Sequence, residues 1–319
     1  MSWWVHTARL ASILAGVGLA TTRLGLIAHE FVGHGGAAIA FGGRVEQVRL
    51  FWFAGGWIDY DLPKPYTVTA SLAASLGGIA LEFVVGLAVW LALARRESLV
   101  GKLVRATGAA IAIHAMWYLA LGTYHGFGDG AFLRWWAGDK RYAIAFAAGA
   151  VVLAFSFFAA RSIWGVLCAT IPGGRRAQTA GVVLAVTLSA TLHVGLAIGE
   201  VRVRRDEAYG AVMKPERERV VAREMRQWER EQKQRGVEID VAARKAREAA
   251  LAAKHRELPF GVILGVLTFV AICAGAWRAR PGGESLWPFR EIPRRLVLVV
   301  ATIAAGSIAL VIAIDAAFA

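Results

Sequence analysis

Apolar residues run through this chain in long, nearly unbroken stretches separated by short polar breaks. The stretches 5–41, 66–94, 103–122, 142–169, 178–199, 260–277 and 296–318 are long enough, as helices, to cross or nearly cross a bilayer. They predict about seven transmembrane helices. The first is too long: as an unbroken helix it would span ~55 Å at 1.5 Å per residue, so it must tilt, bend or protrude. It is nearly all apolar or small and is interrupted by Thr21-Thr22-Arg23.

Two regions break the pattern. In 44–61, Val45, Val48, Leu50, Trp52 and the run 57–60 flank Ala54-Gly55-Gly56, which reads as a β-hairpin. Phe51, Trp52, Phe53 and Trp57 equally suit an interfacial loop anchored at headgroup depth. The region 200–258 interleaves Lys and Arg with Asp and Glu and has no apolar run able to cross. Its Ala, Glu, Arg and Lys content favours helix, Pro215 suits a helix start, and Gly236 predicts a break. Val221, Met225, Trp228 and Gln232 give only a thin apolar stripe, consistent with a solvated helical arm or with a partner-binding or regulatory one.

The expected fold is therefore an all-α polytopic membrane protein with a short β-like loop after the first span and a helical extramembrane segment. Its expected parts are a membrane core over 1–140, two further spans in 141–199, the charged arm 200–258 and two final spans in 259–319.

With 57% hydrophobic residues in 319, a soluble enzyme of this composition would aggregate. The net charge of +13 comes with no basic recognition module, so nucleic acid is not an expected partner. In a polytopic chain such charge sets topology: Arg95, Arg96, Lys102, Arg105, Arg161, Arg175, Arg176 and the basic residues of 278–295 fall on one side of a seven-span chain. The positive-inside rule makes that side cytoplasmic. Cys168 and Cys273 have neither metal-ligand spacing nor the look of a disulfide framework. The first twenty residues, with Arg9 before an apolar region, superficially resemble a signal peptide but read as an uncleaved anchor.

Candidate chemistry lies inside the first apolar run, as His29-Glu30-Phe31-Val32-Gly33-His34. Ionisable side chains in hydrocarbon are costly and mark functional sites. Two histidines on neighbouring turns can hold zinc, and a glutamate beside the first can deprotonate a water. The usual spacing is four, and here it is five. On an ideal α-helix, five residues leave the two side chains ~140° apart, unable to reach one ion. The spacing therefore predicts a π-type turn between His29 and His34, eased by Gly33. A similar spacing occurs in the dipeptidyl peptidase III zinc motif. Catalytic zinc normally takes a third protein ligand. Asp129, between Gly128 and Gly130, is the candidate, although it also fits a turn residue, and His125 is an alternative ligand.

His29 to His34, the stretch Phe41-Gly42-Gly43-Arg44-Val45 and the later Asp129-Gly130 together resemble the site-2 protease family of intramembrane zinc metalloproteases. The resemblance covers roughly 24–136. It implies one Zn²⁺ held by His29, His34 and Asp129, Glu30 as general base, and hydrolysis of peptide bonds in or near membrane-spanning segments of a membrane-protein substrate. It also implies that the β-like loop guides substrate from the cytoplasmic side, the reverse of the orientation read from charge. A multi-pass protein of a bacterial or archaeal cell membrane is expected. Where the family carries an asparagine and prolines, this chain has Thr123-Tyr124-His125-Gly126, which leaves Tyr124 or His125 to stabilise an oxyanion.

Glu82 follows Gly77-Gly78, where the family carries a glycine-rich contact with its catalytic helix. It would orient a zinc-binding histidine, pair with Arg23 or another polar group, or stay protonated. His114 and His193 read as packed, hydrogen-bonded histidines, His6 and His255 as peripheral, and Asp315 as close to an interface. A di-iron histidine-box enzyme is disfavoured, since the chain has only seven histidines and no adjacent pair. A non-catalytic relative that binds membrane segments is a second reading. A transporter using Glu82 and Arg23 is a weaker one, without a visible inverted repeat.

Overall fold

The computed structural model describes residues 2–96, 98–279 and 289–318, so that Arg280, one of the basic residues above, lies outside the described residues. Helix α1 (Trp3–Ile27) continues through a π-helical turn (Ala28–Gly35) into α2 (Gly36–Ala40), and strands β1 (Arg44–Leu50) and β2 (Gly56–Asp61) follow. Then come α3 (Val68–Ala92), α4 (Leu99–His125), α5 (Gly130–Ala137), α6 (Arg141–Ala169) and α7 (Arg175–Arg204). The arm is α8 (Glu207–Met213), α9 (Glu216–Gln234) and α10 (Val241–Lys254), and α11 (Phe260–Arg278) and α12 (Arg294–Phe318) close the chain. Among the described residues, 7 helical segments are long and apolar enough to cross a membrane, the first being Trp3–Ala40. The protein is an all-α, multi-pass membrane protein.

Helix ends overrun the apolar stretches because caps, not hydropathy, stop a helix. Helix α4 starts four residues before the 103–122 run, where the Ser98 side chain accepts from Gly101 N–H, and ends at Gly126 in the left-handed conformation (φ 70°).

Helices α1, α7 and α12 lie side by side and run the same way. Trp3 Nε1 donates to Ala177 O at 3.0 Å, Arg9 pairs with Glu291 at 2.6 Å, and Gly16 and Gly18 face Val300 and His193. At the start of this triplet, Leu10, Ile13, Leu103, Leu167, Ile171 and Val182 share one apolar cluster, and Arg290 N–H donates to Ala169 O. The basic loops before α4, α7 and α12 thus gather at one end of the bundle, and the hairpin and arm at the other.

The hairpin pairs Arg44 with Asp61, Val48 with Ile58 and Leu50 with Gly56, with a bulge between Val45 and Gln47. It is packed into the bundle rather than laid on the interface by its aromatic residues. Val48 and Leu50 are buried against Val311 of α12, with Leu26 and Phe31 alongside. Phe51 is fully buried, and only Trp52 of the four aromatic anchors named above is exposed.

Charged side chains from distant helices hold the hairpin turn. The Glu200 carboxylate accepts from Trp52, Phe53 and Ala54 N–H (2.6, 2.6 and 3.0 Å) and pairs with Arg204 at 3.0 Å. Arg204 also pairs with Asp315 at 2.8 Å, and Asp315 Oδ1 accepts from Leu50 N–H. Arg23 donates to Phe51 O at 2.6 Å, so its partner is this turn and not Glu82. Unpaired backbone groups at this depth would be expensive, and Glu200 satisfies three at once.

The arm begins α9 at Pro215 and breaks at Gly236 (φ 70°), as its composition predicts. Of the four stripe residues only Met225 is buried. The arm is not merely solvated, because it is tied to the membrane core. The buried Arg134 of α5 donates to Glu216, to Glu257 (2.9 Å) and to Tyr124 O, and Arg219 donates to Gly126 O at 2.5 Å. His125 and Glu257 lie 3.0 Å apart. Burial alone would push Glu257 up, but the His125 hydrogen bond and the Arg134 guanidinium hold it below the ordinary carboxylate value.

Candidate metal centre

The π-helical turn is present where the histidine spacing requires it. Gly36 N–H reaches back to Phe31 O, a five-residue bond that widens the turn and stacks His34 beside His29. Their ring centroids are 4.8 Å apart. Gly33 has a different role from the one its sequence position suggested. Its φ is not positive, so no special backbone freedom is used. Instead α3 comes so close that a Cβ on Gly33 would overlap the backbone of Gly77 and Gly78, and one on Gly78 would overlap the His29 imidazole. Close helix packing, rather than turn flexibility, requires these glycines.

Asp129 arrives from the turn between α4 and α5, where Gly126 and Gly128 both take positive φ (70° and 51°). It stands at the helix N-cap position of α5 but makes no side-chain cap. The carboxylate points at the histidines instead: Oδ2 is 2.9 Å from His29 Nε2 and 3.2 Å from His34 Nε2, and the two Nε2 atoms are 3.1 Å apart. His29, His34 and Asp129 are the metal-capable cluster among the described residues.

The proton positions follow from the outer partners. His34 Nδ1 lies 2.6 Å from Ala74 O, which can only accept, so Nδ1 carries a proton and, in the neutral ring, Nε2 a lone pair. His29 Nδ1 faces Glu82 Oε1 at 3.5 Å, favouring the same tautomer. With both rings neutral, two imidazole lone pairs and a carboxylate oxygen converge on one point, an arrangement that a cation would complete. Tetrahedral coordination at ~2.0–2.1 Å places ligand atoms ~3.3 Å apart, close to the three separations seen, so the residues fit a zinc ion.

Glu82 thus meets His29 and, through its other oxygen, His114 Nδ1 at 3.2 Å, which is the orienting arrangement and not the pairing with Arg23. His114 is hydrogen-bonded, although its side chain is largely exposed rather than packed. His193 Nδ1 donates to Ser189 O of its own helix at 2.8 Å. Glu30 is buried, and its electrostatic neighbours are His34, His29, Asp129 and Glu82. Among the described residues nothing hydrogen-bonds its carboxylate, which leaves it free for a proton.

Neither Tyr124 nor His125 faces the centre. Tyr124 stacks on Phe260 (4.5 Å), and His125 turns to Glu257. This also removes His125 as an alternative ligand. Two tyrosines not singled out from the sequence are nearer. Tyr118, stacked on His114 four residues earlier, lies 6.4 Å from the His29 ring, and its hydroxyl meets the Asp129 backbone. The repeat of four on one face of α4 was the available signal. Tyr60 of β2 lies 3.3 Å from Ser75 Oγ, and burial pushes its hydroxyl up, with Asp129 and Glu30 close enough to add to the effect. The hairpin therefore borders the site. From the arm, Val212 O accepts from Gly128 N–H at 2.9 Å and Met213 Sδ covers the Tyr118 hydroxyl. Comparison with protein-family models, with curated proteins and with solved structures finds no match.

Proposed function

We propose that this protein is an intramembrane zinc metalloprotease of the site-2 protease type, hydrolysing peptide bonds in or near the spans of a membrane-protein substrate. The observation that carries this reading is the meeting of His29 Nε2, His34 Nε2 and Asp129 Oδ2 within 3.2 Å of one another beside a buried, unbonded Glu30. His29, His34 and Asp129 hold the ion, and Glu82 and Ala74 O fix the imidazoles in the ligating tautomer. When bound there, a zinc ion would supply Lewis acidity to a water and to the scissile carbonyl. Glu30 would take a proton from the attacking water and pass it to the leaving amine. Tyr60 and the strand it stands on border the centre, where an extended substrate would run. The setting is the cell membrane of a bacterium or archaeon.

The reading is tested on the purified full chain reconstituted in lipid, by measuring zinc content and cleavage of a fluorogenic transmembrane peptide library. Stoichiometric zinc with metal-dependent cleavage supports it. Absence of zinc from protein prepared with the metal present would overturn it, and zinc without any cleavage would point to a binding relative instead.

A further inference from the structure

At the basic end of the bundle, remote from the metal centre, Trp90, Arg105, Phe155, Phe158, Arg161 and Ser162 line an open groove of about 400 Å³ between α3, α4 and α6. Trp90 stands two residues before the end of α3 and Arg105 six residues after the start of α4, so the groove lies toward the basic end of the bundle. Arg105 is fixed in place: its Cζ sits 3.9 Å over the Trp90 ring, and its N–H groups donate to Trp90 O and Ala94 O at 3.3 and 3.4 Å. All these partners are neutral. Arg161 projects exposed from α6, and among the described residues no carboxylate pairs with either guanidinium.

Two cations beside an apolar helix surface, one held against a ring and neither paired with a carboxylate among the described residues, suit an external anion. Guanidinium forks match phosphate oxygens. Beside them Phe155 and the largely exposed Phe158 form an apolar wall, which a free inorganic anion could not use and a hydrocarbon chain can. We propose that this groove binds an anionic glycerophospholipid, its phosphate on Arg105 and Arg161 and the first part of an acyl chain along Phe155 and Phe158. The basic loops around it draw such lipids to this end of the protein.

The test uses the full chain in nanodiscs made from an equimolar mixture of phosphatidylcholine and phosphatidylglycerol, with lipid retained after release measured by native mass spectrometry. Wild type keeps phosphatidylglycerol in preference to phosphatidylcholine, and the preference falls about tenfold for each arginine removed in R161Q and R105Q/R161Q. R161K, with the charge but not the fork, retains an intermediate amount. Because Arg161 is exposed, its replacement does not disturb packing. As a second readout, wild type unfolds at a higher temperature in the mixed discs than in phosphatidylcholine alone, and R161Q loses that difference. Equal retention by wild type and R105Q/R161Q, or no preference between the lipids, overturns the proposal. Displacement of phosphatidylglycerol by inorganic phosphate also overturns it, in favour of a free-anion site. Neither arginine touches the metal centre, so lipid retention is read without a proteolytic assay.

Discussion

The Nδ1–H of His34 donates to the carbonyl oxygen of Ala74 at 2.6 Å, tying one proposed zinc ligand to the backbone of the neighbouring span. Helix α3 therefore contributes no ligand yet sets the tautomer of one, and through Glu82 it orients the other. The candidate metal centre is a property of two packed helices and a turn.

Glu30 is proposed as the base, so E30Q keeps the size and burial of the side chain but cannot take a proton. Cleavage should fall by about 10²–10⁴-fold, the usual share of general base catalysis, while zinc content stays at the wild-type level. Kinetics with a cleaved transmembrane peptide, set beside elemental analysis, check this. Wild-type turnover in E30Q would remove Glu30 from the mechanism.

Asp129 and His125 make opposite predictions. D129A should lose stoichiometric zinc, whereas H125A should retain it, because His125 is engaged with Glu257 and points away from the centre. Zinc measured on both purified variants decides between them, and the reverse result would mean that the third ligand is misassigned.

The glycine contact can be probed in two places. Gly77→Ala drives a methyl group into the Gly33 backbone and Gly78→Ala drives one into the His29 ring. Both should lower stability by about 1–3 kcal/mol, the cost of overpacking. Only Gly78→Ala should also weaken zinc binding strongly in a competition titration against a chelator.

Glu257 predicts a pH response of the arm. Its pKa in the folded protein lies below the ordinary 4.5, so the stability it contributes is fully present above that value. It is lost as pH falls through 4.5 toward the lower folded value. The protection of amides in α9 and α10, measured against their intrinsic exchange rate at each pH, should therefore fall on acidification over that range, and Glu257→Gln should flatten the response. An arm whose exchange is independent of Glu257 would contradict the tie.

Much of this structure is legible in the sequence because the bilayer imposes a simple rule. Seven apolar runs became seven spans, and Gly236 and Pro215 divided the arm as local propensity requires. The five-residue histidine spacing indicated the π-helical turn, since only a wider turn brings His29 and His34 together. What stayed hidden depends on which helix faces which. The partner of Glu82 is His29 rather than Arg23, and Gly33 serves a close helix crossing rather than a loose turn. The exclusion of Tyr124 and the approach of Tyr118 are decided by the rotation of α4, which the sequence signals only through the four-residue repeat of His114 and Tyr118. The burial of Phe51 follows from carboxylates supplied about 150 and 260 residues away, beyond any local pattern.

Glu200 and Asp315 gripping the hairpin turn have a consequence for the order of assembly. The histidines are made near the beginning of the chain, and the strand beside them waits for a carboxylate on the fifth span and another on the last. During synthesis the ligands exist long before the hairpin that borders them is fixed. The finished cleft thus forms only when α12 has been inserted, so the proposed active site stays incomplete while the later spans of the same chain are still entering the membrane beside it.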